Sequence, residues 1–270
     1  MRKWLKRIGV GLGVLLGLLV VAAGVMYAVG RSKLARTYDA PPTALARVAV
    51  DPAAVERGRH VMQMHGCQEC HGQALSGKVF LDIPPGMIVA PNLTRGRGGV
   101  GSRYTDADWD RAVRHGLRPD GRTLLPFMPY RLYNRLGDGD AAALIAYLKS
   151  LPPVDNEVPA TRVRLPGYAM LTMMGDDELR GGIDGAPPRK APPPPGPTAA
   201  YGAYLASTVC VECHGERLEG GQHPAPEAPP GPELSHAGAW PLADFARTVR
   251  TGVAPGGRRL SEWMPSRYFR

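Results

Sequence analysis

All four cysteines of this 270-residue chain lie in two pentapeptides, Cys67-Gln68-Glu69-Cys70-His71 and Cys210-Val211-Glu212-Cys213-His214. Thiols two residues apart can close disulfides, contribute to a zinc site or form a thiol redox centre. A zinc ribbon brings its pairs about 15 to 20 residues apart, whereas these lie 143 apart. A thioredoxin-like pair follows a strand, where this chain has His65-Gly66. The histidine directly after each second cysteine points elsewhere. Two thiols at this spacing can take both haem vinyl groups as thioethers, and the next residue then faces the iron. Cys67, Cys70, Cys210 and Cys213 are the candidate attachment points of two c-type haems, and His71 and His214 their candidate iron ligands.

Each iron needs a second axial ligand, and an internal repeat supplies a candidate. Shifted by 136 residues, Arg111 to Pro129 aligns with Arg247 to Pro265 without a gap, ten of the nineteen positions being identical. Both runs end on Met-Pro, at Met128-Pro129 and Met264-Pro265. A lone methionine is more often core than ligand, but the same methionine recurring in two haem units, after a loop rich in Gly and Pro, marks Met128 and Met264 as axial ligands. The remaining histidines fit less well. His60 and His65 lie on the helix leading into Cys67, His223 and His236 have no repeat partner, and His115 falls opposite Thr251. Arg122 and Arg258, repeated between the cysteines and the methionine, are candidates to pair with haem propionates or, equally, are solvated arginines.

The elements that must hold these residues are short helices. Asp51 can cap a helix beginning at Pro52 and running to about Met64. Thr105 or Asp106 opens a second, stopped by Gly116. Asp138 or Asp140 opens a third, with Leu144, Leu148 and Leu151 on one face and Pro152-Pro153 after it. Thr198 to about Thr208 and Leu242 to Thr251 repeat the first two. The chain ends six residues after Met264, so the second unit lacks a third helix, as a fragment or truncated reading frame would. Residues 154–197, closing in Ala191-Pro192-Pro193-Pro194-Pro195-Gly196-Pro197, read as a semi-rigid linker.

Ile8 to Val29 is 22 residues without charge, about 33 Å as a helix. Arg2, Lys3, Lys6 and Arg7 before it favour a cytoplasmic start and export of the chain beyond about residue 36. No small-residue cleavage site stands between Tyr27 and Arg36, so the segment reads as an uncleaved anchor, with cleavage as the alternative. The net charge of +9 owes four charges to that N-terminus, and the rest of the chain has no run of five like charges, so nucleic acid is not an expected partner. With 34 glycines, 28 prolines and only 4 tryptophans, 10 tyrosines and 4 phenylalanines, the chain is short of core side chains and suited to filling by a prosthetic group.

These residues resemble the class I cytochrome c family, and more closely the membrane-anchored multi-haem subunits that accompany periplasmic alcohol and gluconate dehydrogenases. The resemblance covers about residues 53 to 270. Its most specific stretches are Pro91-Asn92-Leu93-Thr94, Tyr104-Thr105-Asp106-Ala107-Asp108-Trp109, Pro126-Phe127-Met128-Pro129-Tyr130 and Leu144 to Pro153. It implies that a proline carbonyl holds each haem histidine, with Pro91 and, in Pro232-Glu233-Leu234-Ser235, Pro232 as the matching positions. It also implies that the first and third helices cross closely, with Gly58 meeting Leu144 and Tyr147.

The expected architecture is all-α: an anchor over 1–36, haem domains over 50–153 and 198–270, and the linker between them. The expected function is non-enzymatic. Two covalent haems c would pass single electrons between an exported dehydrogenase and a quinone or terminal oxidase, from the periplasmic side of a bacterial inner membrane crossed once. A dihaem peroxidase is the alternative, requiring one labile axial ligand.

Overall fold

The computed structural model describes residues 2–39, 41–180, 183, 191–223 and 227–269. Helix α1 spans Arg2–Ala35 and leaves Leu12, Leu16, Leu19 and Val25 exposed. It is long and apolar enough to cross a membrane. Beyond it the chain runs extended along the first lobe. There the Tyr38 amide donates to the Gly121 carbonyl at 2.9 Å and Lys149 Nζ donates to the Val48 carbonyl at 3.1 Å.

The first lobe is built from α2 (Pro52–Met64), α3 (Cys67–His71), α4 (Asp106–His115), α5 (Tyr130–Tyr133) and α6 (Asp138–Ser150). The starts follow the local chemistry. Asp51 accepts from the Ala54 amide with Pro52 in the first turn, and Thr105 and Asp108 cap α4 reciprocally. Gly116, at φ 61°, ends α4 in a conformation that a side chain would strain. Helices α2 and α6 cross at Gly58, where a Cβ would lie 1.9 Å from the Ala143 carbonyl oxygen and 2.7 Å from Tyr147 Cβ. The expected crossing is present, with the Ala143 carbonyl rather than Leu144 as nearest neighbour. Val61, Met62, Trp109, Tyr133, Leu144 and Ile145 form its core.

The all-α expectation needs correction, because the mostly helical chain includes a three-stranded antiparallel sheet. Strands β1 (Lys78–Ile83) and β2 (Gly86–Ala90) form a hairpin with an irregularity between Val79 and Leu81, and β3 (Arg162–Val163) pairs with β2. The signal lies in two β-branched and aromatic runs on either side of Pro84-Pro85.

The segment expected as a linker divides. Its first part folds against the first lobe: the Val154 carbonyl accepts from Asn92 Nδ2 at 2.8 Å, and Tyr130 Oη donates to the Leu179 carbonyl at 2.8 Å. Besides β3 it contains α7 (Leu165–Met173), packed on α1, and α8 (Asp176–Leu179). Residues 181, 182 and 184–190 of the same expected linker lie outside the described residues.

The second lobe contains α9 (Ala199–Val209), α10 (Val211–His214) and α11 (Leu242–Thr251), with single 3-10 turns between and after them. Thr198 caps α9 by accepting from the Tyr201 amide. Gly202 has no neighbour within 4 Å of where a Cβ would sit. This lobe touches the first directly. Tyr204 Oη donates to Asp140 Oδ2 at 2.6 Å and accepts from the Gly137 amide at 3.1 Å, and Arg135 grips Glu216 with both Nη atoms.

Candidate haem sites

In the first lobe Cys67, Cys70 and His71 line one wall of a cleft whose lining also includes Met128. The cleft encloses about 1200 Å³, counting the solvent at its mouth, and its remaining walls are mainly apolar: Phe80, Ile88, Leu93, Trp109 and Val113 among them. The hairpin of β1 and β2 thus closes one side. The two thiols are free, and burial pushes that of Cys67 up to about 12. They are neutral side chains in an apolar wall.

His71 is aimed by its backbone surroundings. Its Nδ1 lies 2.9 Å from the Pro91 carbonyl oxygen, which makes Nδ1 the protonated nitrogen and leaves Nε2 with its lone pair. Burial lowers the basicity of the ring, and the bond to Pro91 partly restores it. Gly72, at φ 79°, turns the chain sharply after the histidine. The Leu93 amide then donates to the Leu75 carbonyl at 2.8 Å, tying the Pro91 turn to the cysteine segment.

The second lobe repeats this arrangement bond for bond. His214 Nδ1 lies 2.7 Å from the Pro232 carbonyl oxygen. Leu218 adopts φ 62° as Leu75 adopts 53°, and the Leu234 amide donates to the Leu218 carbonyl at 2.9 Å. The methionine loops match as well. Leu117 bridges Thr123 as Val253 bridges Arg259. The Leu124 amide donates to the Gly116 carbonyl at 2.7 Å, and the Leu260 amide to the Gly252 carbonyl at 2.8 Å. Tyr130 donates its amide to the Met128 carbonyl, and Ser266 to that of Met264, each at 2.8 Å.

The donor set suits haem c. A cavity of this character, with two unpaired thiols and an anchored imidazole on its wall and a thioether also lining it, has the groups that covalent attachment and iron ligation need, in an apolar bed. Among the described residues no group of three or more His, Cys, Asp or Glu is placed to hold a metal ion.

Arg122 is not on the cleft wall. Its Nε and Nη2 close on Asp120 Oδ2, at 2.9 and 2.6 Å, on an exposed turn. The local reason is the short Asp120-Gly121-Arg122 turn, which brings the two side chains together. Arg258 occupies the matching turn, its carbonyl accepting from the Ala254 amide at 2.8 Å as that of Arg122 accepts from Arg118 at 2.9 Å. The arginine that does line the cleft is Arg118. The repeat could not reveal it, since the aligned residue in the second lobe is Ala254. Tyr104, Trp109 and Tyr133 also line the cleft, the first two from the Tyr104 to Trp109 stretch that carries the family resemblance.

Residues 55–152 match the Cytochrome c family model. The cytochrome c subunit of the alcohol dehydrogenase (quinone) of Komagataeibacter europaeus is 34% identical over 232 residues, covering 82% of this chain and 48% of that subunit. The fructose dehydrogenase cytochrome subunit of Gluconobacter japonicus is 30% identical over 242 residues, covering 81% and 49%. The chain therefore spans about half the length of these curated relatives. A dihaem c-type cytochrome of Cereibacter sphaeroides is 30% identical over 223 residues, covering 74% of this chain and 73% of that protein.

Proposed function

Because the chain belongs to the c-type cytochrome family, whose members bind haem c covalently, we propose that it is a dihaem electron carrier tethered by α1. It passes single electrons between an exported dehydrogenase and a quinone or terminal oxidase, on the periplasmic side of a bacterial inner membrane. The observation that carries this reading is the duplicated anchoring of His71 by Pro91 and of His214 by Pro232, each with a methionine on a matching loop.

Bound haem supplies a one-electron iron couple. The residues of the chain do the rest. Cys67 and Cys70, and Cys210 and Cys213, would hold one haem each through thioether bonds. His71 with Met128, and His214 with Met264, would be the donors to the two irons, and an iron so saturated would have no site for a substrate. The carbonyls of Pro91 and Pro232 fix the imidazole planes. Phe80, Trp109 and their neighbours exclude water from the first site, and Arg118 places a positive charge on its wall. Substrate oxidation then falls to a separate dehydrogenase subunit, as the names of the relatives suggest.

Intact mass spectrometry tests the assignment. The expected mass is that of the chain plus two haems, with four thioethers and no alkylatable thiol. A mass showing a disulfide, bound zinc or a single haem overturns it. Robust peroxide turnover by the unmodified protein would replace the carrier by the peroxidase reading.

A further inference from the structure

We propose that α7 is a second membrane contact, a short helix dipping into the outer edge of the bilayer beside α1 with Leu165, Met170 and Met173 in lipid. The inference rests on α1 crossing the membrane. From Leu165 to Met174 the chain carries no charged side chain. Gly167 and Leu171 face inward, while Leu165, Met170 and Met173 are 49%, 51% and 80% exposed. Apolar residues displayed on this scale by so short a helix need an apolar neighbour.

The position of α7 against α1 identifies that neighbour. The Thr172 hydroxyl donates to the Met26 carbonyl at 3.1 Å. Thr172 therefore lies level with Met26, three residues inside the end of the uncharged run at Val29, or about 4.5 Å. The helices touch closely here: a Cβ on Gly30 would lie 2.8 Å from the Tyr168 carbonyl oxygen, and the Tyr27 and Tyr168 rings meet edge to face at 4.9 Å. Two tyrosines at this level match the aromatic belt of a membrane boundary. The exposed face of α7 is thus continuous with the lipid-facing surface of α1.

The helix end is arranged for a place without water. The last carbonyls of a helix lack internal partners, and lipid offers none. Lys33, from α1, donates through Nζ to the Thr172 carbonyl at 3.1 Å and also to that of Met174. The chain then climbs back to water at once. Asp176 pairs with Arg36, seven residues beyond Val29 and so about 10 Å further out. At the other end Arg164 pairs with Asp82 at 2.7 Å, marking where the dip begins.

The test uses the full-length haem-loaded protein in nanodiscs of phosphatidylethanolamine and phosphatidylglycerol, with a trace of phospholipid carrying a diazirine at mid-chain. After photolysis, peptide mass spectrometry locates the adducts. Adducts are expected in both 8–29 and 165–174. The double variant Met170→Glu, Met173→Glu should lower labelling of 165–174 at least about fivefold and leave that of 8–29 unchanged. Adducts in 8–29 with none in 165–174, or wild-type labelling of 165–174 in the double variant, would overturn the role of α7 alone. Adducts in neither segment would overturn the membrane span on which it rests.

Discussion

Met128 and Met264 are the proposed second donors to the two irons, so single substitutions there test each site separately. Met128→Ala should remove roughly half of the weak far-red absorption of the ferric protein, lower one potential and leave the other unchanged; bis-histidine spectra from either haem would contradict the assignment. A second residue-scale prediction concerns the buried Asp110. Burial alone would raise its carboxyl, but bonds from Arg114 and Thr43 outweigh it and hold the group below its ordinary value. Arg114 also reaches Asp138 Oδ1 at 2.6 Å. A depressed carboxylate contributes stability that is full above its unfolded pKa, about 3.9, and is lost as the pH falls through the lower folded value. Thermal unfolding should therefore show Asp110→Asn destabilised by about 3 kcal/mol at neutral pH, with a Tm that falls less steeply than wild type below about pH 4. The bonds of His71 to Pro91 and of His214 to Pro232 were legible in the sequence because the pentapeptide and its proline turn both recur. Arg118 was not, because which arginine of a turn faces a cleft depends on where Asp120 draws its neighbour.

Gly58 and Gly202 occupy equivalent positions in the two lobes but meet different surroundings, which gives a paired test of helix packing. Gly58→Ala would push a methyl against the Ala143 carbonyl and should cost about 3 kcal/mol, read as a loss of Tm in the first lobe. Gly202→Ala meets nothing within 4 Å and should be neutral or stabilise α9 by up to ~1 kcal/mol; a large loss there would mean that another surface covers α9. Helix starts at Asp51, Thr105 and Thr198 were readable because capping is local chemistry. The hairpin of β1 and β2 and the fold of residues 154–180 were not, since both are settled by distant partners. Asn92 binding the Val154 carbonyl and β3 pairing with β2 are contacts between residues some sixty and seventy-five positions apart. A proline-rich composition says that a segment will not be a long helix, but says nothing of what it will lie against.

At the scale of the whole chain the repeat is one of hydrogen bonds as well as of residues, and it sets Met128 and Met264 on matching loops. The lobes meet through Tyr204 on Asp140 and Arg135 on Glu216, so the candidate sites are joined by more than a spacer. Tyr204→Phe removes the hydroxyl shared by Asp140 and the Gly137 amide. It should raise hydrogen exchange at α9 and the start of α6 together, by several-fold, without changing the haem content. The strand-like passage after α1 has its own consequence. The Tyr38 amide is bonded to Gly121, and Thr37 bridges Arg122, six residues before Met128. Mechanically, the strand leaving α1 is hitched to the methionine loop rather than to the cysteine helix. A sideways drag on α1 that passes down this strand is delivered to the loop that carries Met128, while His71 is held from the far side by the Pro91 turn.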